Sequence, residues 1–117
     1  MITIMVVDDE PDNITIVKTF LKANNYKVIS AVDGDDCLKK IKDGEKPDLI
    51  LMDIMMPGTP VRDIIPKLDS IKVIYLSVVR MPEAEKQGLL GHKNIAGYIQ
   101  KPFDIKDLLE KIKEVAG

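Results

Sequence analysis

Five side chains of the 117-residue sequence are of types that together handle a phosphoryl group, and each closes a short, mostly apolar run. Asp8 and Asp9 follow Ile2–Val7, Asp53 follows Asp48–Met52, Ser77 follows Lys72–Leu76, and Lys101 stands just past Ile95–Ile99. Carboxylates a few ångströms apart repel one another, and either a raised pKa or a bound cation answers that repulsion. An all-oxygen site with few protein ligands suits Mg2+, which keeps several waters and favours phosphate oxygens. A carboxylate beside such an ion can attack phosphorus. The transferred group then needs cations against its equatorial oxygens. Mg2+ and Lys101 would supply them, and Ser77 can donate one more hydrogen bond.

Those residues act together only if the elements between them bring them together. The runs are short and rich in β-branched residues, the pattern of strands buried on both faces. Between them lie helical stretches. Pro11 suits the first position of a helix reaching about Ala23, with Asp9 or Glu10 as cap and Ile14, Val17 and Leu21 on one face. After a strand at Lys27–Ala31, Gly34–Asp43 carries Cys37, Leu38 and Ile41 on one side and stops at Gly44. A third, short helix opens near Thr59-Pro60 and must end or kink near Ile65, because Pro66 cannot sit inside it. A weak helix is predicted over Pro82–Leu90, and a last one, capped by Asp104, presents Ile105, Leu108, Leu109 and Ile112. Five strand–helix units imply a doubly wound α/β fold with a five-stranded parallel sheet and helices on both faces. All strand carboxyl ends then share one rim, where ligands of such folds bind.

Composition narrows the setting. Length fits one domain over residues 1–117, and 45% apolar with 31% charged residues is ordinary globular usage. A lone Cys37 excludes an internal disulfide framework. A formal charge of −2 gives no general attraction to nucleic acid or an anionic membrane, and no apolar stretch is long enough to span a bilayer. Met1 leads straight into an apolar run without a basic segment or cleavage site, so the expected location is cytoplasmic.

Asp8-Asp9-Glu10-Pro11, Asp53 with Met55-Met56-Pro57, Ser77, and Tyr98 followed by Lys101-Pro102-Phe103-Asp104 together resemble the receiver domain of two-component response regulators, chemotaxis-regulator-like members included. The resemblance spans almost the whole chain. It implies a flavodoxin-like (βα)5 sandwich of three layers with strand order 2-1-3-4-5. It implies Asp53 as the phosphoacceptor, Asp9 and the main-chain carbonyl of Met55 as Mg2+ ligands, and Asp8 acting through water. Ser77 and Lys101 would bind the phosphoryl group, Ser77 and Tyr98 would form the switch, and Lys101-Pro102 would be a cis peptide. The implied partners are a sensor histidine kinase or phosphotransfer protein and a downstream effector or missing output domain, with a phosphorylation-dependent homodimer allowed. Such a chain is not an enzyme toward external substrates; it serves only its own phosphorylation and dephosphorylation, as a stand-alone regulator or as part of a longer protein.

Plainer readings exist for several of these residues, though not readily for Asp53, which ends a buried strand on the same edge as Lys101. Asp8, Asp9 and Glu10 could simply cap a helix, Tyr98 could be packing, Ser77 a turn hydroxyl, and Cys37 a core filler. His92 has no second ligand near it in sequence and reads as a surface residue. Among other functions, a Mg2+-dependent phosphohydrolase of this topology carries a second Asp where Met55 stands, and a flavodoxin or nucleotide site needs Gly, Ser or Thr where Asp8-Asp9-Glu10-Pro11 stand. A phosphate-independent scaffold of the same shape would not need the intact acceptor set.

Three departures from the family pattern stand out. Pro60-Val61 replace the usual Asp-Gly, and the interval from Asp53 to Ser77 is short, so the third helix should be truncated. Val78 follows Ser77 where the family favours a small residue. A branched side chain there hinders attacking water, so loss of the phosphoryl group should be slow. Val78→Ala is expected to speed it in a phosphate-release assay, and an unchanged rate would refute this.

Overall fold

The computed structural model describes residues 1–68 and 70–116. The elements alternate along the chain. They run β1 (Thr3–Val7), α1 (Pro11–Ala23), β2 (Lys27–Ala31), α2 (Gly34–Lys42), β3 (Leu49–Met52) and α3 (Val61–Ile64). A 3₁₀ turn (Ile65–Leu68) leads to β4 (Lys72–Ser77), α4 (Met81–Lys86), β5 (Ile95–Gln100) and α5 (Ile105–Ala116). All four strand pairings are parallel, in the order β2-β1-β3-β4-β5. This is the architecture expected from the sequence pattern and the strand order that the resemblance implied.

Side chains of a strand alternate between faces, and the core divides accordingly. Met5, Val7, Ile50, Met52, Val73 and Tyr75 pack with Cys37, Val61, Ile64 and Ala84 on the side of α2, α3 and α4. Ile4, Val6, Leu49, Leu51, Ile74 and Leu76 pack with Val17, Leu21, Leu108 and Ile112 on the side of α1 and α5. Because both faces are covered, the strands are apolar throughout, which is why they read as continuous runs. Cys37 is fully buried, and that burial pushes its thiol up to about 12, so it stays protonated and serves as packing.

The short third helix is present, and its cause is visible. After Ile64 the chain tightens into the 3₁₀ turn that contains Pro66. The buried amide of Asn94 donates to the Ile65 carbonyl at 3.2 Å, satisfying a group that a continuing helix would have used. The fourth helix is shorter than expected, ending at Lys86 instead of Leu90. Gly88 takes a left-handed φ of 74°, and the Leu89 N–H turns back to the Ala84 carbonyl at 3.1 Å. Leu89 is therefore buried from a turn, and the Tyr75 hydroxyl donates to its carbonyl at 2.9 Å. The expected side-chain cap on α1 also needs correction. Glu10 occupies the cap position but makes no side-chain cap hydrogen bond among the described residues; its own N–H instead donates to Asp8 Oδ1 at 2.9 Å. Asp104 does open α5 as expected, accepting from the Lys106 N–H at 2.9 Å.

Helix α2 touches α3 through its first residue. A Cβ at Gly34 would lie 2.6 Å from Cγ1 of fully buried Ile64. Gly34→Ala should cost about 1–3 kcal/mol of stability through overpacking, measurable by urea denaturation; a neutral change would mean that the joint gives way freely.

Candidate functional site

The ladder continues one residue past the strands, and that extension builds the site. Asp8 N–H donates to the Ala31 carbonyl at 3.1 Å, Asp53 N–H to Val7 at 3.0 Å, and Lys101 N–H to Ser77 at 2.8 Å. The main chain thereby fixes where each side chain starts. Local turns then aim three of them. Asp8 Oδ1 accepts from Glu10 N–H at 2.9 Å, Asp53 Oδ1 from Met55 N–H at 3.2 Å, and Ser77 Oγ from Val79 N–H at 3.1 Å. Each is the same turn, a short polar side chain bonding the N–H two residues on.

The result is a dense group of charges. One carboxylate oxygen from each of Asp8, Asp9 and Asp53 lies within 4.8 Å of the others. Asp8 and Asp53 are buried, whereas Asp9 faces solvent. Lys101 Nζ reaches Asp8 Oδ2 at 3.0 Å and Asp53 Oδ2 at 3.6 Å. Asn13 Nδ2, on the first turn of α1, also points to Asp8 Oδ2, at 3.4 Å. Burial raises the Asp53 pKa from its ordinary value. The Lys101 ammonium, the Met55 N–H and the Ser77 hydroxyl oppose that rise, while Asp8 adds to it. All the donors are oxygens and the cluster is open on the Asp9 side, which suits a small hard cation that retains water.

The surroundings of this group are apolar. A groove of ≈ 500 Å³ runs from Asp8, Asp53 and Lys101 along α1, walled by Ile16, Leu76, Val78 and Phe103. Val78 is 59% exposed beside the site, and Met55 is 61% exposed on the loop after Asp53. The Lys101-Pro102 peptide is cis, as the resemblance implied. Tyr98 is half-buried, with its ring 5.9 Å from that of Tyr75 in an edge arrangement. Its hydroxyl donates to the Val79 carbonyl. Val79 is thus held at its N–H by Ser77 and at its carbonyl by Tyr98, so one residue joins the site to strand β5.

The structure therefore brings together Asp8, Asp9, Asp53, Ser77 and Lys101, with Met55 adjoining and Tyr98 one residue removed. His92 lies away from them, in a polar hollow with Pro66, Ser70, Lys93 and Asn94. Reasoning from sequence missed Asn13, whose only signal is its place in the first turn of the helix that follows the acidic pair. It also missed Asp35, whose carboxylate accepts from both the hydroxyl and the N–H of Thr59. Those two bonds hold the Asp35 pKa below its ordinary value.

Burial and a like-charged neighbour make the ionised Asp53 a cost to the fold. Without divalent cations, Asp53→Asn should raise the thermal midpoint at neutral pH. Its folded pKa is raised, so the cost is present above that value and is relieved as pH falls through it. The advantage of the Asn variant should accordingly shrink on acidification; a variant less stable than wild type at neutral pH would contradict this.

Known proteins resemble this chain in sequence and fold. Residues 4–113 match the model of the response regulator receiver domain. The alkaline phosphatase synthesis transcriptional regulatory protein PhoP of Bacillus subtilis is 32% identical over 114 residues, covering 96% of this chain and 47% of PhoP, so the chain spans about half the length of that relative. The response regulator TrrA of Thermotoga maritima, solved in complex with Mg2+-BeF, superposes with a TM-score of 0.86 at 28% identity, covering 98% of this chain and 99% of that one. A CheY-like receiver domain protein of Methanospirillum hungatei gives 0.81 at 34% identity, over 98% and 94%. Among the described residues no helix is long and apolar enough to cross a membrane. A family match over nearly the whole chain, on the fold and acidic rim described above, places this protein among the response regulator receiver domains of two-component signalling.

Proposed function

We propose that the chain, as a single domain over residues 1–117, accepts a phosphoryl group on Asp53 from a sensor histidine kinase or phosphotransfer protein and passes the signal to an effector protein or output domain. The observation that carries this reading is the meeting of three carboxylate oxygens within 4.8 Å beside the Lys101 ammonium. The cluster fits Mg2+ by its donor set, with Asp9, Asp53 and the Met55 carbonyl as ligands and Asp8 acting through water. When bound there, the ion would neutralise negative charge on the phosphoryl oxygens.

The protein's own groups do the rest. The Met55 N–H and Lys101 hold the Asp53 carboxylate beside Asp8 and Asp9. Asp53 oxygen attacks phosphorus, the phosphorus–nitrogen bond of the donor breaks, and the donor histidine keeps the electron pair and takes up a proton. The acceptor gains about 1.5 to 2 negative charges. Lys101 pairs with them, and Ser77 turns its hydroxyl from the Val79 N–H to a phosphoryl oxygen. That rotation loosens one of the two bonds on Val79, and Tyr98 follows through the other. The surface of α4, β5 and α5 then differs between the two forms, where an effector or a second copy of the chain reads it. Turning such an equilibrium from 1:99 to 99:1 requires about 5.5 kcal/mol of differential stabilisation.

Hydrolysis of external phosphate esters is a weaker reading, because the exposed Met55 occupies the position from which an acid–base carboxylate would serve a leaving group. The cytoplasm is the setting this reading requires, since that is where phosphorylated kinases would meet the chain.

Incubation with acetyl phosphate and Mg2+ should add one phosphoryl group by intact mass, with none added to Asp53→Asn or after chelation by EDTA. Labelling that persists in the variant would move the chemistry elsewhere. Mg2+ at 100 times its Kd should stabilise the wild type by about 2.7 kcal/mol, and Asp9→Asn should lose most of that gain in the same melt.

A further inference from the structure

Three acids open α2, and only two of them serve the helix. Asp33 Oδ1 accepts from the Asp36 N–H at 2.8 Å, and Asp36 Oδ2 accepts in turn from the Val32 N–H at 3.0 Å. The first bond caps the helix, and the second ties its first turn to the residue before the cap. Asp35 takes no part in either. Its Oδ1 accepts from Thr59 Oγ1 at 2.7 Å and its Oδ2 from the Thr59 N–H at 3.1 Å, a two-point grip on a loop 24 residues further along the chain.

The gripped loop is the one that leaves the acceptor. It begins at Asp53, whose Oδ1 accepts from the Met55 N–H, and it reaches Thr59 only four residues after Met55. Gly58 has a left-handed φ of 90°, and a Cβ there would lie 2.9 Å from Asp35 Oδ2, so the loop backbone comes closer to that carboxylate than a side chain would allow. On the other side Gly34 sits against Ile64, which fixes α2 relative to the far end of the same segment. A loop with Pro57 and Gly58 has few internal hydrogen bonds to choose its shape, and Asp35 chooses it from outside.

We propose that Asp35 is a positioning residue: by holding Thr59 and Gly58 it keeps the loop in the form that presents the Met55 main chain beside Asp53, and so sets the affinity for the divalent cation. This rests on the reading of Asp8, Asp9 and Asp53 as a Mg2+ site. The role differs from that of a stabilising contact, because Asp35 is exposed and the link lies outside both apolar cores.

The test titrates Mg2+ alone into wild type, Asp35→Ala, Thr59→Val, the double variant and Thr59→Ser, by calorimetry, with amide exchange and thermal melts on the metal-free proteins. Asp35→Ala should raise the Kd about 10-fold, the size seen when groups that orient metal ligands are removed. Thr59→Val, which removes the hydroxyl bond but keeps the N–H bond, should raise it less, the double variant should be no worse than Asp35→Ala, and Thr59→Ser should bind as wild type. Met55 and Met56 amides should exchange faster in Asp35→Ala while the metal-free melting midpoint falls only slightly, as for an exposed contact. Unchanged Mg2+ affinity in Asp35→Ala, or weakened affinity matched by a global loss of stability, overturns the proposal. A wild type that takes up no Mg2+ overturns the reading of the acidic cluster; the amide-exchange arm then still decides whether Asp35 holds the loop.

Discussion

Negative charge crowded onto one rim of the sheet is the constraint to which the rest of the structure answers. Asp8 and Asp53 are buried at the ends of neighbouring strands, Asp9 stands beside them, and one ammonium, that of Lys101, serves both buried carboxylates. Buried charges persist only where partners and hydrogen bonds offset their desolvation. Here the offset is partial, as the upward displacement of the Asp53 pKa records. The cluster is stable enough to form and strained enough to welcome positive charge, and a group that brings a cation with it relieves the repulsion that the fold has built.

Such crowding needs a rigid frame. Parallel pairing aligns the carboxyl ends, and the extra ladder bonds at Asp8, Asp53 and Lys101 set each side chain's starting point. The repeated turn at Asp8, Asp53 and Ser77, each accepting from the N–H two residues ahead, fixes direction as well as position. That turn has a second effect. It commits one oxygen of Asp8 and of Asp53 to the local backbone and leaves the other to Lys101, and at Ser77 it uses the hydroxyl only as an acceptor, so exchange of partners there needs only a rotation about one bond.

The sheet was legible in the sequence because strands covered on both faces must be apolar throughout, and a carboxylate, hydroxyl or ammonium that ends such a run must lie on the rim. Asp53 after Leu-Ile-Leu-Met is the clearest instance. Pro66 announced the break in the third helix for an equally local reason. The bounds of α4 were not legible, since Leu89 and Leu90 look like the last turn of a helix but enter the core from a turn made by Gly88. Capping at α1 misled because the acids before Pro11 looked like cap residues, whereas Asp8 belongs to the site and binds the Glu10 N–H, and Glu10 makes no side-chain cap bond among the described residues. The grip of Asp35 on Thr59 leaves no trace in periodicity, because it joins two loops that only the finished fold brings together.

Strand β5 lies at the border of the sheet, and its residues are partly or fully exposed, whereas β1, β3 and β4 have neighbours on both sides. The two acid-bearing strands are therefore clamped by two ladders each, and the strand that carries Tyr98 and leads to Lys101 by one. Its pairing with β4 already contains an irregularity between Val73 and Ile74. Stiffness and compliance are thus divided between the two halves of the same site: the anionic half is anvil, and the cationic half rides on an edge strand held from one side only.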